Sequence, residues 1–285
     1  MDGRIVDVRI EAGLIVEVAE GSEKPWPGDE VLDARGGALL PGLHDHHIHL
    51  LALAAAARSV RVGPTDVGGV DGFTEALRAA DAALEPGRWL RAVGYHESVA
   101  GPLDRNVLDA MVPGRPVRVQ HRGGAMWVVN SAAAHALGLA TSSGAGRTAG
   151  DGERSADGIP GGVELAADGT PTGRLYGLDA WLGRRVPPEA LDLGTVGRTL
   201  LDFGVTGVTD ATPTERSEDL ALLAAAMADG RLPQHVVVTG GLGLNPGAGR
   251  GVERGPVKLV VGDHCLPDLD NLTGAISAAH RRQRP

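Results

Sequence analysis

Alternating apolar and polar residues near the N-terminus of the chain predict short β-strands. The segments 4–10 and 14–19 each alternate, and Ala12-Gly13 separates them as a turn. A third short strand is predicted at 31–33. Taken alone, this pattern is typical of a plain β-meander, which carries no chemistry of its own.

Helical and strand patterns follow one another over the rest of the chain. The predicted helices cover about 51–57, 71–84, 130–137, 216–229 and 268–282. The predicted strands cover 89–95, 116–120, 204–210, 235–239 and 256–261, and the Gly- and Ser-rich residues 140–173 read as a loop. Because the last three strands are apolar and alternate with helices, they predict a parallel α/β sheet.

The segment from Leu39 to Leu50 gives the strongest functional signal in the chain. An apolar entry, a Pro-Gly pair and histidines two residues apart predict a buried strand that ends in metal ligands. Side chains two apart on a strand share a face, so His47 and His49 are placed to bind one metal ion. His44 and His46 form a second pair on the opposite face, and periodicity alone does not choose between the pairs. The alternative is histidines that hydrogen-bond backbone at a strand end.

Lys258 lies within the apolar segment 256–261. A lysine on a strand that is buried on both faces is unfavourable unless its charge is removed or paired. It is therefore a candidate functional residue. The alternative is a side chain that reaches solvent or pairs with Asp263.

Composition excludes several classes of protein. The 285 residues are enough for one large domain or two modest ones, and a net charge of −9 argues against nucleic acid as the partner. The apolar stretches are shorter than a membrane helix needs, the N-terminus lacks a signal-peptide core, and the single Cys265 rules out an internal disulfide. We expect a soluble, cytoplasmic protein that binds no membrane and forms a monomer or a homo-oligomer.

The pattern Pro41-Gly42-x-x-Asp45-x-His47-x-His49 resembles the first barrel strand of the amidohydrolase superfamily. Further stretches resemble amidohydrolase family 3, the group of N-substituted formamide deformylase and its YtcJ-like relatives. In chain order they are Val93-Gly-Tyr-His-Glu97, Arg115-Pro-Val-Arg-Val-Gln-His-Arg122, Trp127-Val-Val-Asn-Ser131, Asp168-Gly-Thr-Pro-Thr-Gly173 and Gly204-Val-Thr-Gly-Val-Thr-Asp210.

The resemblance implies an α/β fold: a partial metal-dependent-hydrolase (β/α)8 TIM-like barrel with a long insertion after strand 1, plus part of a small N-terminal β-sandwich. The sandwich part covers 1–38 and the incomplete barrel 39–285. The insertion, or cap, covers about 58–200, far longer than an ordinary strand-to-helix connection.

The resemblance also selects His47 and His49 as the metal ligands, with His44 and His46 as packing or supporting residues. It implies that Lys258 is carbamylated and bridges two divalent metal ions, zinc being the default for a histidine-rich site. The implied reaction is hydrolysis of carbon–nitrogen bonds other than peptide bonds, in amide- or formamide-type small molecules, by a metal-activated water.

Weaker predictions concern residues that contact the substrate. These residues are His96, Glu97, His121, Arg122, Trp127 and Asp210. The alternatives are a solvated loop for His96 and Glu97, a core position for Trp127 and a helix cap for Asp210.

The sequence departs from the family in two places. Gly123 and Ala125 stand where relatives often have Asp and His, so this chain lacks any substrate contact that the Asp and His side chains make in relatives. The remaining histidine ligands and the general-base aspartate are expected beyond Pro285, which predicts the N-terminal part of a longer protein. The alternatives are a catalytically inactive truncated fragment or pseudo-enzyme, and a metal-free small-molecule binding module.

Overall fold

Residues 4–20, 25, 27–139, 159–212, 217–244, 251–261 and 266–283 are described by the computed structural model. The chain divides into two compact units, residues 1–42 and residues 43–285. Part of the predicted loop, over 140–158, and Asp263 lie outside the described residues. Within the part that is described, no helix is both long and apolar enough to cross a membrane.

The strands are β1 (Val6–Glu11), β2 (Leu14–Glu20), β3 (Leu43–Ile48), β4 (Val60–Arg61), β5 (Leu90–Tyr95), β6 (Val117–His121), β7 (Met126–Val129), β8 (Val163–Leu165), β9 (Pro171–Tyr176), β10 (Val205–Asp210), β11 (His235–Gly240) and β12 (Glu253–Val257). The helices are α1 (Leu50–Ala57), α2 (Pro64–Val67), α3 (Val70–Ala83), α4 (Glu97–Ala100), α5 (Arg105–Met111), α6 (Ser131–Ala136), α7 (Asp179–Gly183), α8 (Leu193–Asp202), α9 (Ser217–Ala228) and α10 (Leu269–Arg281).

The first unit is a β-hairpin followed by irregular chain. Strands β1 and β2 pair antiparallel, and the turn between them places Ala12 and Gly13 at positive φ, 49° and 79°. The predicted strand at 31–33 is wrong. Those residues are irregular, and Leu32 is 93% exposed. Three apolar residues without a partner strand have no ladder to join.

A four-stranded parallel sheet lies in the second unit, in the spatial order β12-β11-β10-β3. Helices α1, α8 and α9 cover it, and Leu50, Leu193 and Leu223 pack with the strand residues Val208 and Val236 in one apolar core. The predicted parallel sheet is therefore observed. Four adjacent parallel strands in chain order are what a partial barrel requires, and a barrel stays a prediction.

Two strands of this sheet differ from the expectation. Strand β3 is only partly buried, with Leu43 57% exposed, because it lies at the sheet edge and pairs only with β10. Strand β12 begins at Glu253, three residues earlier than predicted, and ends at Val257. Lys258 therefore follows the strand instead of lying inside it, and the apolar residues 259–261 are exposed.

The residues between β3 and β10 in sequence form a separate, six-stranded mixed sheet. Its spatial order is β4-β5-β6-β7-β9-β8. Strands β4, β5 and β6 run parallel, and the remaining neighbours pair antiparallel. The predicted loop is wrong where it is described beyond residue 162, since β8 and β9 form a hairpin there. Its turn places Gly169 at a φ of 83°, and Asp168 accepts the Thr170 N–H at 2.9 Å.

The two faces of the six-stranded sheet have different cores. Alternate residues of β5 and β6, such as Leu90 and Val119, pack under α3 and α5 with Phe73 and Leu108. The opposite face carries Trp127 and other residues of β7 and β9, which pack against α6 and α7. Because side chains alternate along a strand, neighbouring residues of β5 and β6 point to opposite faces of the sheet.

Candidate metal centre

The rings of His47 and His49 meet at the carboxyl end of β3. Their centroids are 5.4 Å apart and the ring planes are nearly perpendicular, at 84°. Ile48 between them is buried in the sheet core. The strand therefore directs both imidazoles to one side and holds the backbone between them by apolar packing.

Two neighbouring residues orient His49. Its Nδ1 lies 3.0 Å from the Thr212 hydroxyl oxygen, and the Thr212 backbone N–H donates to Asp210 Oδ1 at 2.9 Å. When Nδ1 carries the ring proton and donates it to Thr212, Nε2 keeps a free lone pair. Metal-binding histidines in proteins are usually oriented by such an outer hydrogen bond.

Asp210 ties β10 to the start of α1. Its carboxylate is fully buried and accepts the Leu50 N–H at 2.8 Å, in addition to the Thr212 N–H. The backbone oxygen of Asp210 also accepts from the Thr239 hydroxyl at 3.2 Å. The Asp210 carboxylate therefore accepts hydrogen bonds from its own loop and from the first residue of α1. A contact between Asp210 and substrate stays a prediction.

Lys258 reaches the same end of the sheet. Its backbone N–H donates to Gly240 O at 3.0 Å, and its ammonium donates to Ala211 O, one residue after β10. Lysine, two histidines and a buried aspartate therefore gather where β3, β10 and β12 end. Carboxyl ends of parallel strands are where α/β proteins place their functional groups.

The surroundings of His49 favour its neutral form. Burial lowers the pKa of His49 below its ordinary value, Asp210 opposes this shift, and Lys258 and His47 add to it. Neutral imidazole is the form that binds metal ions. Burial, supported by Lys258 and His47, thus favours the state that a metal ligand needs.

In the second histidine pair, His44 is packed against the sheet and His46 is exposed. His44 Nε2 lies 2.9 Å from the Thr209 hydroxyl oxygen, and its ring centroid is 4.6 Å from that of exposed His46. Gly207 lies under the His44 ring so closely that an added Cβ would come within 2.5 Å of Nδ1. His44 is therefore fitted into the sheet surface by the glycine opposite it.

Three of the weaker candidates come together at the ends of β5 and β6. Glu97 Oε2 lies 3.3 Å from His121 Nε2 and 3.9 Å from His96 Nε2. The backbone N–H of Glu97 lowers the pKa of its carboxyl, and His121 adds to this shift. The group therefore holds an ionised carboxylate between two imidazoles.

Arg122 and Trp127 do not join this group. Arg122 is exposed, and its backbone N–H donates to Tyr95 O at 2.8 Å. Trp127 is 4% exposed, and its indole N–H donates to Asp179 at 2.8 Å. These contacts favour the core alternative for Trp127.

Sequence reasoning missed three residues that contact the candidate residues Trp127 and His49. Arg91 and Arg118 lie opposite each other on β5 and β6, and their guanidinium groups are 5.3 Å and 5.2 Å from the Trp127 ring. Burial lowers the pKa of Arg91 to about 10, and Arg118 adds to this shift. Single charges within the apolar runs of β5 and β6 were the available signal. Thr212, the partner of His49, gave none.

A profile of the amidohydrolase family matches residues 30–264. The chain therefore belongs to the amidohydrolase family, and the prediction from resemblance is confirmed. The match includes His47, His49 and Lys258.

Two relatives match shorter parts of the chain. N-substituted formamide deformylase of Arthrobacter pascens is 29% identical over 221 residues, which cover 73% of this chain and 38% of the deformylase. Amidohydrolase YtcJ of Bacillus subtilis (strain 168) is 26% identical over 154 residues, which cover 53% of this chain and 26% of YtcJ. The matched part is thus well under half the length of either relative.

Two solved structures are also similar, those of uncharacterized metal-dependent hydrolases from Pyrococcus horikoshii OT3 and Pyrococcus furiosus. Each covers 70% of this chain at 19% identity and a TM-score of 0.45, and the match spans 36% and 38% of those chains. This likeness is too low to support a conclusion about function.

Proposed function

We propose that this chain supplies the first metal ligands of a metal-dependent hydrolase. Its reaction would be hydrolysis of carbon–nitrogen bonds other than peptide bonds, in small amide- or formamide-type molecules. Membership of the amidohydrolase family supports hydrolysis, and the name of the Arthrobacter pascens relative points to formamides. The observation that carries the proposal is the perpendicular pairing of His47 and His49.

The donor set fits a divalent metal of the zinc class. Two imidazoles on one side of a strand end, one of them kept neutral and oriented by Thr212, match the ligands that zinc prefers. When bound, such a metal supplies an acidified water and polarises a carbonyl group.

The surrounding residues hold His49 in place. Asp210 accepts N–H groups from Leu50 and Thr212, so it fixes the residue after His49 and the residue that orients the His49 ring. A ligand geometry set by buried hydrogen bonds is retained without rearrangement when a metal arrives. Preorganisation of this kind is what a catalytic metal site requires.

The positive charge of Lys258 is unfavourable for a metal ion bound by His49, and carbamylation would remove it. Its ammonium is close enough to His49 to lower the pKa of that ring, and a positive charge there opposes binding of a cation. A carbamate, formed when the lysine nitrogen bonds to carbon dioxide and releases two protons to solvent, replaces this positive charge with a negative one and adds oxygen ligands. We therefore propose that Lys258 is carbamylated in the metal-loaded protein and joins the ligand set.

A matched pair of substitutions tests the metal ligands. His46 and His47 are adjacent, exposed histidines on the same strand, and only His47 belongs to the proposed ligand pair. Zinc titration by calorimetry is expected to show binding that His47→Asn and His49→Asn each weaken and that His46→Asn leaves unchanged. Equal effects of His46→Asn and His47→Asn would refute the assignment.

Activity is tested by formate release from N-formyl amines. The chain matches only 38% of the deformylase, so hydrolysis is measured with this chain and with the same chain extended past residue 285. We expect release in the extended protein, with loss in His49→Asn. Zinc binding without formate release in either protein would favour the inactive alternative. Substrate binding without any zinc would favour a metal-free binding module.

A further inference from the structure

The group formed by His96, Glu97 and His121 lies where strands β5 and β6 of the six-stranded sheet end. Tyr95 and His121 are register partners on the parallel strands β5 and β6, so His96 and Glu97 follow immediately at the same edge. Strand β6 pairs parallel with β5 and antiparallel with β7. The group therefore occupies the carboxyl ends of parallel strands, where open α/β sheets bind ligands.

The three ligand atoms are spaced for one small cation. One ligand atom from each of His96, Glu97 and His121 lies within 4.8 Å of the other two. Metal–ligand bonds of about 2.0–2.2 Å in a tetrahedral site put neighbouring ligand atoms about 3.3–3.6 Å apart. The pair formed by Glu97 and His121 is already 3.3 Å apart, and the pair formed by His96 and Glu97 is 3.9 Å apart. Small side-chain movements would bring all three to bonding distance.

The side chains are partly open to solvent. Those of His96, Glu97 and His121 are 31%, 45% and 24% exposed. An ion can therefore reach the group from solution, and three protein ligands leave a coordination position free.

Ser98 is an outer partner for His96. His96 Nδ1 accepts the Ser98 backbone N–H at 3.2 Å, so the neutral ring carries its proton on Nε2. The Ser98 hydroxyl oxygen lies 2.8 Å from the same Nδ1 and can accept a proton there once a metal ion occupies Nε2. His121 is held in the same way, because its Nδ1 accepts the Gly123 N–H at 3.1 Å. Neutral His121 then carries its proton on Nε2, directed at Glu97. Metal binding at Nε2 of either ring must displace that ring's proton and loosen its contact with the Ser98 or Gly123 N–H.

We propose that His96, Glu97 and His121 bind a divalent metal ion of the zinc class, at a site distinct from the His47 and His49 pair. Two imidazole nitrogens and one carboxylate oxygen suit zinc and its transition-metal neighbours better than magnesium or calcium. All three ligands belong to the segments around β5 and β6. The site therefore does not depend on the proposed hydrolase centre.

Cobalt and zinc titrations test the site in a background that lacks the other ligands. In the His47→Asn/His49→Asn protein, one equivalent of Co²⁺ is expected to bind and to give a visible d–d absorption band. Zinc is expected to displace it. Failure of this protein to bind any equivalent, with its circular dichroism unchanged, would overturn the proposal.

Three further variants and a control locate the ligands in the same background. Glu97→Gln and His121→Asn are expected to weaken zinc binding by about 100-fold or more, and Ser98→Ala by about 10-fold, as loss of an outer partner does. His135→Asn, at an exposed histidine of α6, is the control and should leave binding unchanged. Unchanged affinity in both Glu97→Gln and His121→Asn would contradict the assignment.

A second measurement covers the case in which the background protein does not fold. In the otherwise unchanged chain, Glu97→Gln should reduce the number of tightly bound zinc ions by one, whereas His135→Asn should not. In nuclear magnetic resonance spectra, zinc should also shift the Gly123 amide signal. An unaltered zinc stoichiometry in Glu97→Gln would refute the site.

Discussion

Asp210→Asn is the substitution whose effect follows most directly from the structure. The carboxylate of Asp210 is fully buried and accepts N–H groups from Leu50 at 2.8 Å and from Thr212 at 2.9 Å. Asparagine has the same shape but only one acceptor oxygen, so its NH₂ group must face one of these two donors. The substitution therefore leaves a buried N–H without an acceptor and converts the other hydrogen bond to a neutral one.

The expected loss of stability is about 2–4 kcal/mol. An unsatisfied buried donor costs about 1–3 kcal/mol, and a hydrogen bond to a charged group is about 1 kcal/mol stronger than a neutral one. Urea unfolding followed by circular dichroism measures the loss as a lower midpoint. Faster hydrogen exchange at the Leu50 amide should locate it at the start of α1.

Asp192→Asn is the matched control, because it is the same chemical change at an exposed position. Asp192 caps α8 by accepting the Thr195 N–H at 3.0 Å, and asparagine caps helices about as well as aspartate. Its urea midpoint should stay at the value of the unchanged protein. Equal midpoints for Asp192→Asn and Asp210→Asn would refute the reasoning.

Three other substitutions test the surroundings of the proposed centre and the core. Gly207→Ala should cost about 1–3 kcal/mol in urea unfolding, because its Cβ would lie 2.5 Å from His44 Nδ1; a cost that His44→Ala does not relieve in the double mutant would contradict this. Thr212→Val should weaken zinc binding by about 10–100-fold in calorimetry through the lost partner of His49, and an unchanged affinity would argue against that orientation. Trp127→Phe should lower the unfolding free energy by about 1–2 kcal/mol, because the 2.8 Å hydrogen bond from the indole N–H to Asp179 is lost. A role of Trp127 in substrate binding alone would leave the unfolding free energy unchanged.

Local patterns predicted much of the secondary structure because they depend on neighbours in sequence. The alternation over 4–10 and 14–19 became the β1–β2 hairpin, and the helical spacing over 71–84 became α3, with Phe73 and Leu77 buried. The two-residue spacing of His47 and His49 likewise fixed their common side. These features follow from the periods of strands and helices alone.

Features set by distant pairing were not predictable from one sequence. The exposure of β3 depends on its edge position in the sheet, and the three-residue shift of β12 depends on pairing with β11. The hairpin of β8 and β9 was hidden because Gly, Ser, Asp and Pro dominate that region, and such composition usually marks a loop.

The two candidate metal groups illustrate the same limit. His47 and His49 are two residues apart, so one strand period suffices to bring them together. His96 and Glu97 meet His121 only through the register of β5 and β6, which pairs Tyr95 with His121. Sequence analysis selected all three residues but had no means of placing them around one point.

Anomalous diffraction at the zinc edge, from crystals of this protein grown with zinc, tests the central claim most directly. The expected result is a peak about 2.0–2.1 Å from a ring nitrogen of both His47 and His49. Zinc peaks found only elsewhere in the protein, with these two rings bound to nothing, would contradict it.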